Sequence, residues 1–168
     1  FKLQSFIYMP VFGLNNALVP IVAYNYGARK PDRIRKTMLI ALMYASGIML
    51  IGILIFQLMP HQILSLFIEK PETFKIGIAA LKTISTGFIF SGIILIISAV
   101  FQALGHGVYA LVVQIIRQLA AVLPLAYLFS LSGDVNMVWW AFPVAEIISA
   151  LICLAIYRFV VKRQLLML

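Results

Sequence analysis

Charge is scarce in this chain. Only 11% of the 168 residues are charged, and five acids face thirteen Lys and Arg. A soluble domain carries about 25% charged and about 45–50% apolar residues. Here 64% are hydrophobic and the mean hydropathy is +1.08. A soluble fold of this size cannot cover so much apolar surface, so lipid must solvate much of it. Cysteine is nearly absent: Cys153 is alone, inside an apolar run. That excludes a disulfide framework or a thiolate zinc site within one chain and leaves a buried structural thiol. Histidine is limited to His61 and His106.

The net charge of +8 would point to nucleic acid in a soluble protein. The basic residues instead cluster beside apolar runs, where they set membrane topology and meet anionic headgroups. Membrane lipid is the expected partner and nucleic acid is not. The densest cluster is PIVAYNYGARKPDRIRK, Pro20–Lys36. In it Arg29, Lys30, Arg33, Arg35 and Lys36 are opposed only by Asp32. Lys and Arg near helix ends cross a bilayer poorly, so this stretch is expected on the cytoplasmic side.

A transmembrane helix needs about 20 mostly apolar residues. Runs at 6–23, 37–59, 74–104, 108–131 and 138–161 meet that test. Their continuous apolar character predicts five helices rather than alternating barrel strands. The basic turn, 24–36, is read as a cytoplasmic loop. The segment 60–73 is read as an external loop with an interfacial helical turn. With the basic turn inside, the C-terminal cluster Arg158, Lys162 and Arg163 also falls inside, so two basic clusters agree. The chain opens on Phe1 without a charged segment or cleavage site before its first apolar run. That run is therefore expected to be a span rather than a signal peptide, and the chain an excerpt of a larger protein.

Within the first run, Pro10, Gly13, Asn16, Ala17 and Pro20 predict a bent helix beside protein or a cavity. Asn25 and Gly27 are the expected stop, since both tolerate positive φ. Ala41 and Ala45 form a small-xxx-small pair suited to close helix approach. The third run predicts one rod about 46 Å long. Gly87, Ser91, Ser98 and Gln102 make one small, polar stripe along it. The fourth carries Gln114, Arg117 and Gln118 on one face. The fifth opens with Trp139 and Trp140, suited to an interfacial aromatic belt, and holds Glu146 in its middle.

Arg117 and Glu146 are the two charges placed deep in the bilayer, and such charges are costly. Counting from the run ends puts them about 14 and about 18 Å from the inner face. Consecutive antiparallel helices then bring them to similar depth, so a pair is expected. It either fixes two helices together or meets substrate and protons.

Enzyme chemistry finds no support. His61 and His106 fall on opposite sides of the membrane, and the sequence has no HExxH, GxSxG or phosphate-binding loop.

The chain resembles the C-terminal lobe of the multidrug and toxic compound extrusion (MATE) transporters. The likeness rests on PIVAYNYGARKPDRIRK, FQALGHG at Phe101–Gly107, Arg117–Gln118, PLAY at Pro124–Tyr127 and WWAFPVAE at Trp139–Glu146. In the first of these, Pro20, Tyr24, Asn25, Gly27 and Ala28 carry the family loop motif. The resemblance implies an all-α membrane protein whose five helices make most of the second six-helix bundle of a twelve-helix, two-lobe transporter. It implies proton- or sodium-coupled antiport of amphipathic, often cationic, compounds across a bacterial cell membrane. The N-terminal lobe of the same protein would be its partner.

Asn16, Ser91, Ser98, Gln102, Gln114, Arg117 and Gln118 are the candidate substrate path. No cofactor is expected, and the coupling-ion site would lie in the N-terminal part. Two features depart from the family pattern. Ala23 stands where a Gly often precedes Tyr-Asn, and the third run lacks the acid that sodium-coupled members place there. Two other readings are a lipid-linked oligosaccharide flippase of the same superfamily and a non-transporting membrane scaffold. A flippase would need more cations facing its cavity, and a scaffold would need no polar stripes.

Overall fold

The computed structural model describes residues 2–67, 71–161 and 164. Among them the regular structure is helical throughout: α1 Lys2–Gly27, α2 Pro31–Leu58, α3 Pro60–Ser65, α4 Pro71–Ser85, α5 Phe88–Ala103, α6 Gly107–Ile115, α7 Val122–Ser130, α8 Val135–Val138 and α9 Ala141–Ile156. A π-helical turn, Ile116–Ala121, joins α6 to α7, and a second, Tyr157–Val161, follows α9. Four stretches are long and apolar enough to cross a membrane, and α4 with α5 makes a fifth if their bent pair is one span.

The core sits on α5. Ile94–Phe101 are buried along its whole circumference, and the helix packs against α1, α2, α6 and α9. Contact with α2 includes Ala45, Met49 and Phe56, all buried, as is Ala41. Gly92 lets the two helices approach: a Cβ there would stand 3.0 Å from Met49 Cγ. The small pair Ala41/Ala45 thus lies inside a helix interface, as small residues do where backbones come close.

Several boundaries differ from the sequence reading. The helix expected over 6–23 is longer at both ends and continues as helix through Pro10 and Pro20. Its end is closed by Arg29, not by Asn25 or Gly27. Arg29 has φ 53°, its N–H bonds the Tyr26 carbonyl, and the Lys30 N–H bonds the Asn25 carbonyl, both at 3.0 Å. That pairing is the Schellman closure. Gly105 (φ 81°) closes α5 the same way, with His106 N–H on the Phe101 carbonyl at 2.8 Å. The loop expected over 24–36 shrinks to 28–30. Pro31 opens α2 at the position where a missing N–H costs nothing, so the basic residues from Arg33 onward lie on its first turns. Pro60 opens α3 likewise within the expected outer segment. The residues 68–70 of that segment, and Lys162 and Arg163 of the C-terminal cluster, lie outside the described residues.

The largest difference is the third run. The single rod over 74–104 is two helices, α4 and α5, bent by 49°. Local chemistry at Ser85–Gly87 accounts for the break. Ser85 and Thr86 turn their hydroxyls back onto the carbonyls of Lys82 and Thr83, at 3.0 and 2.7 Å. Such back-bonding competes with the helical ladder. Across the interface Gln57 of α2 donates to the Lys82 carbonyl at 2.8 Å and to Ser85 Oγ at 3.1 Å. At the bend, a Cβ on Gly87 would stand 3.1 Å from Pro143 Cα of α9.

At the other end of the bundle, Gln164 bonds His106 at 2.8 Å and the Tyr26 hydroxyl. This ties the α5–α6 turn to the end of α1.

Gln57 therefore replaces backbone bonding lost at the bend. Gln57→Leu should destabilise the protein by about 1 kcal/mol, the net worth of a typical hydrogen bond, since Ser85 Oγ still donates to the Lys82 carbonyl. Thermal unfolding in detergent would show this as a lower Tm. An unchanged Tm would contradict the role given to Gln57.

Candidate functional site

The polar centre forms where α1, the π turn and α9 meet. Pro124 sets part of the local geometry. It has no N–H for the Ala120 carbonyl, and its ring crowds that carbonyl. Ala120 lies in the π turn, the wider winding that relieves such a conflict and recurs at functional sites. Arg117, in this turn, is 7% exposed.

Arg117 meets Glu146 of α9 along the edge of its guanidinium. Its Nε donates to both carboxylate oxygens, at 2.8 and 2.9 Å, and its Nη2 lies 2.7 Å from Oε1. Two charges in this setting are tolerable because each satisfies the other through several charge-assisted bonds. Tyr8 of α1 completes the cluster. Arg117 Nη2 donates to its hydroxyl at 3.4 Å, and the guanidinium carbon sits 5.8 Å from the ring centroid. Gln4 donates to the same hydroxyl at 3.2 Å. Tyr8 in turn donates to Ser91 Oγ at 2.7 Å, and Ser91 donates to the Gly87 carbonyl at 3.3 Å. The Tyr8 hydroxyl thus uses its one donor and both acceptor sites. This chain of bonds runs from the ion pair to the bend between α4 and α5.

A cavity of about 230 Å³ opens on this cluster. Gln4, Ser5 and Gln118 offer hydrogen bonds, Phe12 and Phe142 offer ring surface, and Tyr8, Arg117 and Glu146 form one wall. The wall is charge-balanced, so the cavity suits molecules that combine polar and aromatic groups. A cation can compete with Arg117 for the carboxylate.

The structure brings together four of the residues proposed from sequence: Ser91, Arg117, Gln118 and Glu146. It separates the others. Asn16 and Gln102 are exposed, and Gln114 is half-buried outside the cavity. Ser98 is buried in α5, and its hydroxyl has no partner among the described residues. Of the loop motif, Asn25 is buried and bonds the Ile21 carbonyl at 2.8 Å, whereas Tyr24 is 75% exposed. Pro20, Gly27 and Ala28 are exposed at the end remote from the cavity.

Sequence reasoning missed Gln4 and Ser5, which lie before the expected start of the first helix at residue 6. The signal was present in the spacing: Gln4, Tyr8 and Phe12 repeat every four residues on one helix face. Among the described residues no three His, Cys, Asp or Glu side chains come together to hold a metal.

The MatE family profile matches residues 1–128. The chain belongs to the MatE family. It is 28% identical over 168 residues to the Bacillus subtilis protein named "Probable multidrug resistance protein YoeA", covering 97% of this chain and 36% of that protein. It is 26% identical over 156 residues to the multidrug export protein MepA of Staphylococcus haemolyticus, covering 93% and 34%. The solved structure of the MATE multidrug transporter DinF-BH superposes with a TM-score of 0.87 at 26% identity, covering 99% of this chain and 37% of that one. The MatE chain described here thus spans about a third of the length of these relatives. It is an all-α, multi-pass membrane protein with the MATE transporter fold.

A double-mutant cycle tests the central contact of this MatE chain. Arg117→Gln or Glu146→Gln alone should cost about 3–5 kcal/mol, because each strands a buried charge. The double variant should be milder than the sum of the two. Chemical unfolding in detergent reads all four corners, and strict additivity would contradict the contact.

Proposed function

We propose that this chain forms most of one lobe of a secondary active exporter, and that its polar cavity is part of the path of amphipathic, often cationic, small molecules. The observation that carries the reading is the cavity beside the paired Arg117 and Glu146, lined also by the rings of Phe12 and Phe142 and the amides of Gln4 and Gln118. Membership of a family whose relatives are named as multidrug transporters supports it. Export is driven by exchange for H⁺ or Na⁺, and the coupling-ion site lies outside this chain. Glu146 serves as the partner of Arg117 rather than as the coupling acid. Alternating access needs two bundles that rock about a site near the midplane, and the N-terminal lobe supplies the second. A flippase of pyrophosphate-linked lipids is disfavoured, because Arg117, the cation lining this cavity, is already neutralised by Glu146.

The orientation follows from the basic residues: the α1–α2 turn faces the cytoplasm and α3 faces outward. In a Cys153→Ser background, a membrane-impermeant thiol reagent added outside should label His61→Cys and spare Lys30→Cys. The opposite pattern would overturn the orientation. The cavity itself is tested by ethidium binding to the purified chain in lipid nanodiscs, read as fluorescence polarisation. Gln118→Trp, which fills the cavity, should weaken binding about tenfold. Unaltered binding would contradict the substrate-path reading.

A further inference from the structure

A second cavity, of about 390 Å³, lies beneath α4. One wall is a single helical face of α4: Gly77, Ala80, Leu81 and Ile84, at i, i+3, i+4 and i+7. The small residues Gly77 and Ala80 leave the space open. Leu3 of α1, Phe56 of α2, Leu64 of α3 and Trp139 also line it. The lining is apolar apart from Gln4 and the Trp139 ring nitrogen.

Two features join this cavity to the polar one. Gln4 lines both, with its amide donated to the Tyr8 hydroxyl between them. Trp139 of the apolar cavity stacks on Phe142 of the polar cavity, with centroids 6.4 Å apart and planes inclined by 24°. Size adds a third argument. Small-molecule sites occupy about 300–1,000 Å³. The polar cavity, at about 230 Å³, falls below that range, and the apolar one lies within it.

We propose that the two cavities are one bipartite site for an amphipathic small molecule. Its apolar body lies under α4 among Phe56, Leu81 and Trp139. Its polar or cationic group reaches past Gln4 to Tyr8, Gln118 and Glu146. Gln4 is the partition that sets where the molecule changes from apolar to polar. The proposal rests on the reading of the polar cavity as substrate path and adds to it which shape of molecule fits.

Ethidium binding to the purified chain in nanodiscs tests this with two variants in the apolar cavity, Ala80→Phe and Gly77→Leu. A control outside both cavities is Ala155→Phe, at an exposed position on α9. Circular dichroism and Tm establish that each is folded. Either cavity variant, if folded, should weaken ethidium binding about tenfold, and Ala155→Phe should leave it unchanged. Binding unaltered by the apolar-cavity variants but weakened by Gln118→Trp would overturn the bipartite site and keep the polar path. That result is expected if a lipid tail fills the apolar cavity. Binding insensitive to all of them would overturn the polar path as well.

Discussion

A buried cation and a buried anion cannot be left apart in a lipid-solvated bundle. The contact between Arg117 and Glu146 is the constraint around which the rest of this structure arranges itself. It fixes the π turn against α9, because the guanidinium must present its edge to both carboxylate oxygens. It draws α1 in through Tyr8, whose hydroxyl accepts from Arg117 and donates a hydrogen bond to Ser91 on α5. The three elements that wall the polar cavity are therefore held by one bonded cluster rather than by apolar packing alone. Apolar packing provides little direction here, since lipid tails are as apolar as the side chains that face them.

The second organising feature is the bend between α4 and α5. Helices in lipid must satisfy their own backbone groups, so a break is tolerated only where neighbours replace the lost bonds. Gln57, Ser85 and Thr86 do so. The bend carries α4 away from the axis of α5 and leaves the apolar cavity beneath it. Gly87, where the bend occurs, contacts Pro143 and lies beside Glu146, so the two organising features touch. Discontinuous helices near a binding region recur in secondary transporters for this reason.

Much of this was legible from residue types. Continuous apolar runs predicted helices, and the depth count placed Arg117 and Glu146 together on consecutive spans. Two kinds of information were not legible. Local competition for hydrogen bonds decides whether a long apolar run is one helix or two. Nothing in the pattern of 74–104 shows that Gln57, from another helix, will take the Lys82 carbonyl. Polar residues near a run's end are also trimmed away when hydropathy sets the boundary, which removed Gln4 and Ser5. The polar stripe of Ser91, Ser98 and Gln102 was read as one surface, yet α5 is buried nearly all round. Its polar groups therefore reach different neighbours, and only Ser91 meets Tyr8.

The claim that all else depends on is the direct contact of two side chains in the membrane-spanning region. Solid-state NMR on protein in lipid, with ¹⁵N in the arginine guanidinium and ¹³C in the glutamate carboxylate, measures that contact without altering it. Arg117→Lys and Glu146→Gln controls assign the signal to this pair. A strong short-range dipolar coupling, lost in both controls, is the predicted result. A wild-type spectrum without that coupling would show that Arg117 and Glu146 are apart, and would contradict the account of the cavity built on them.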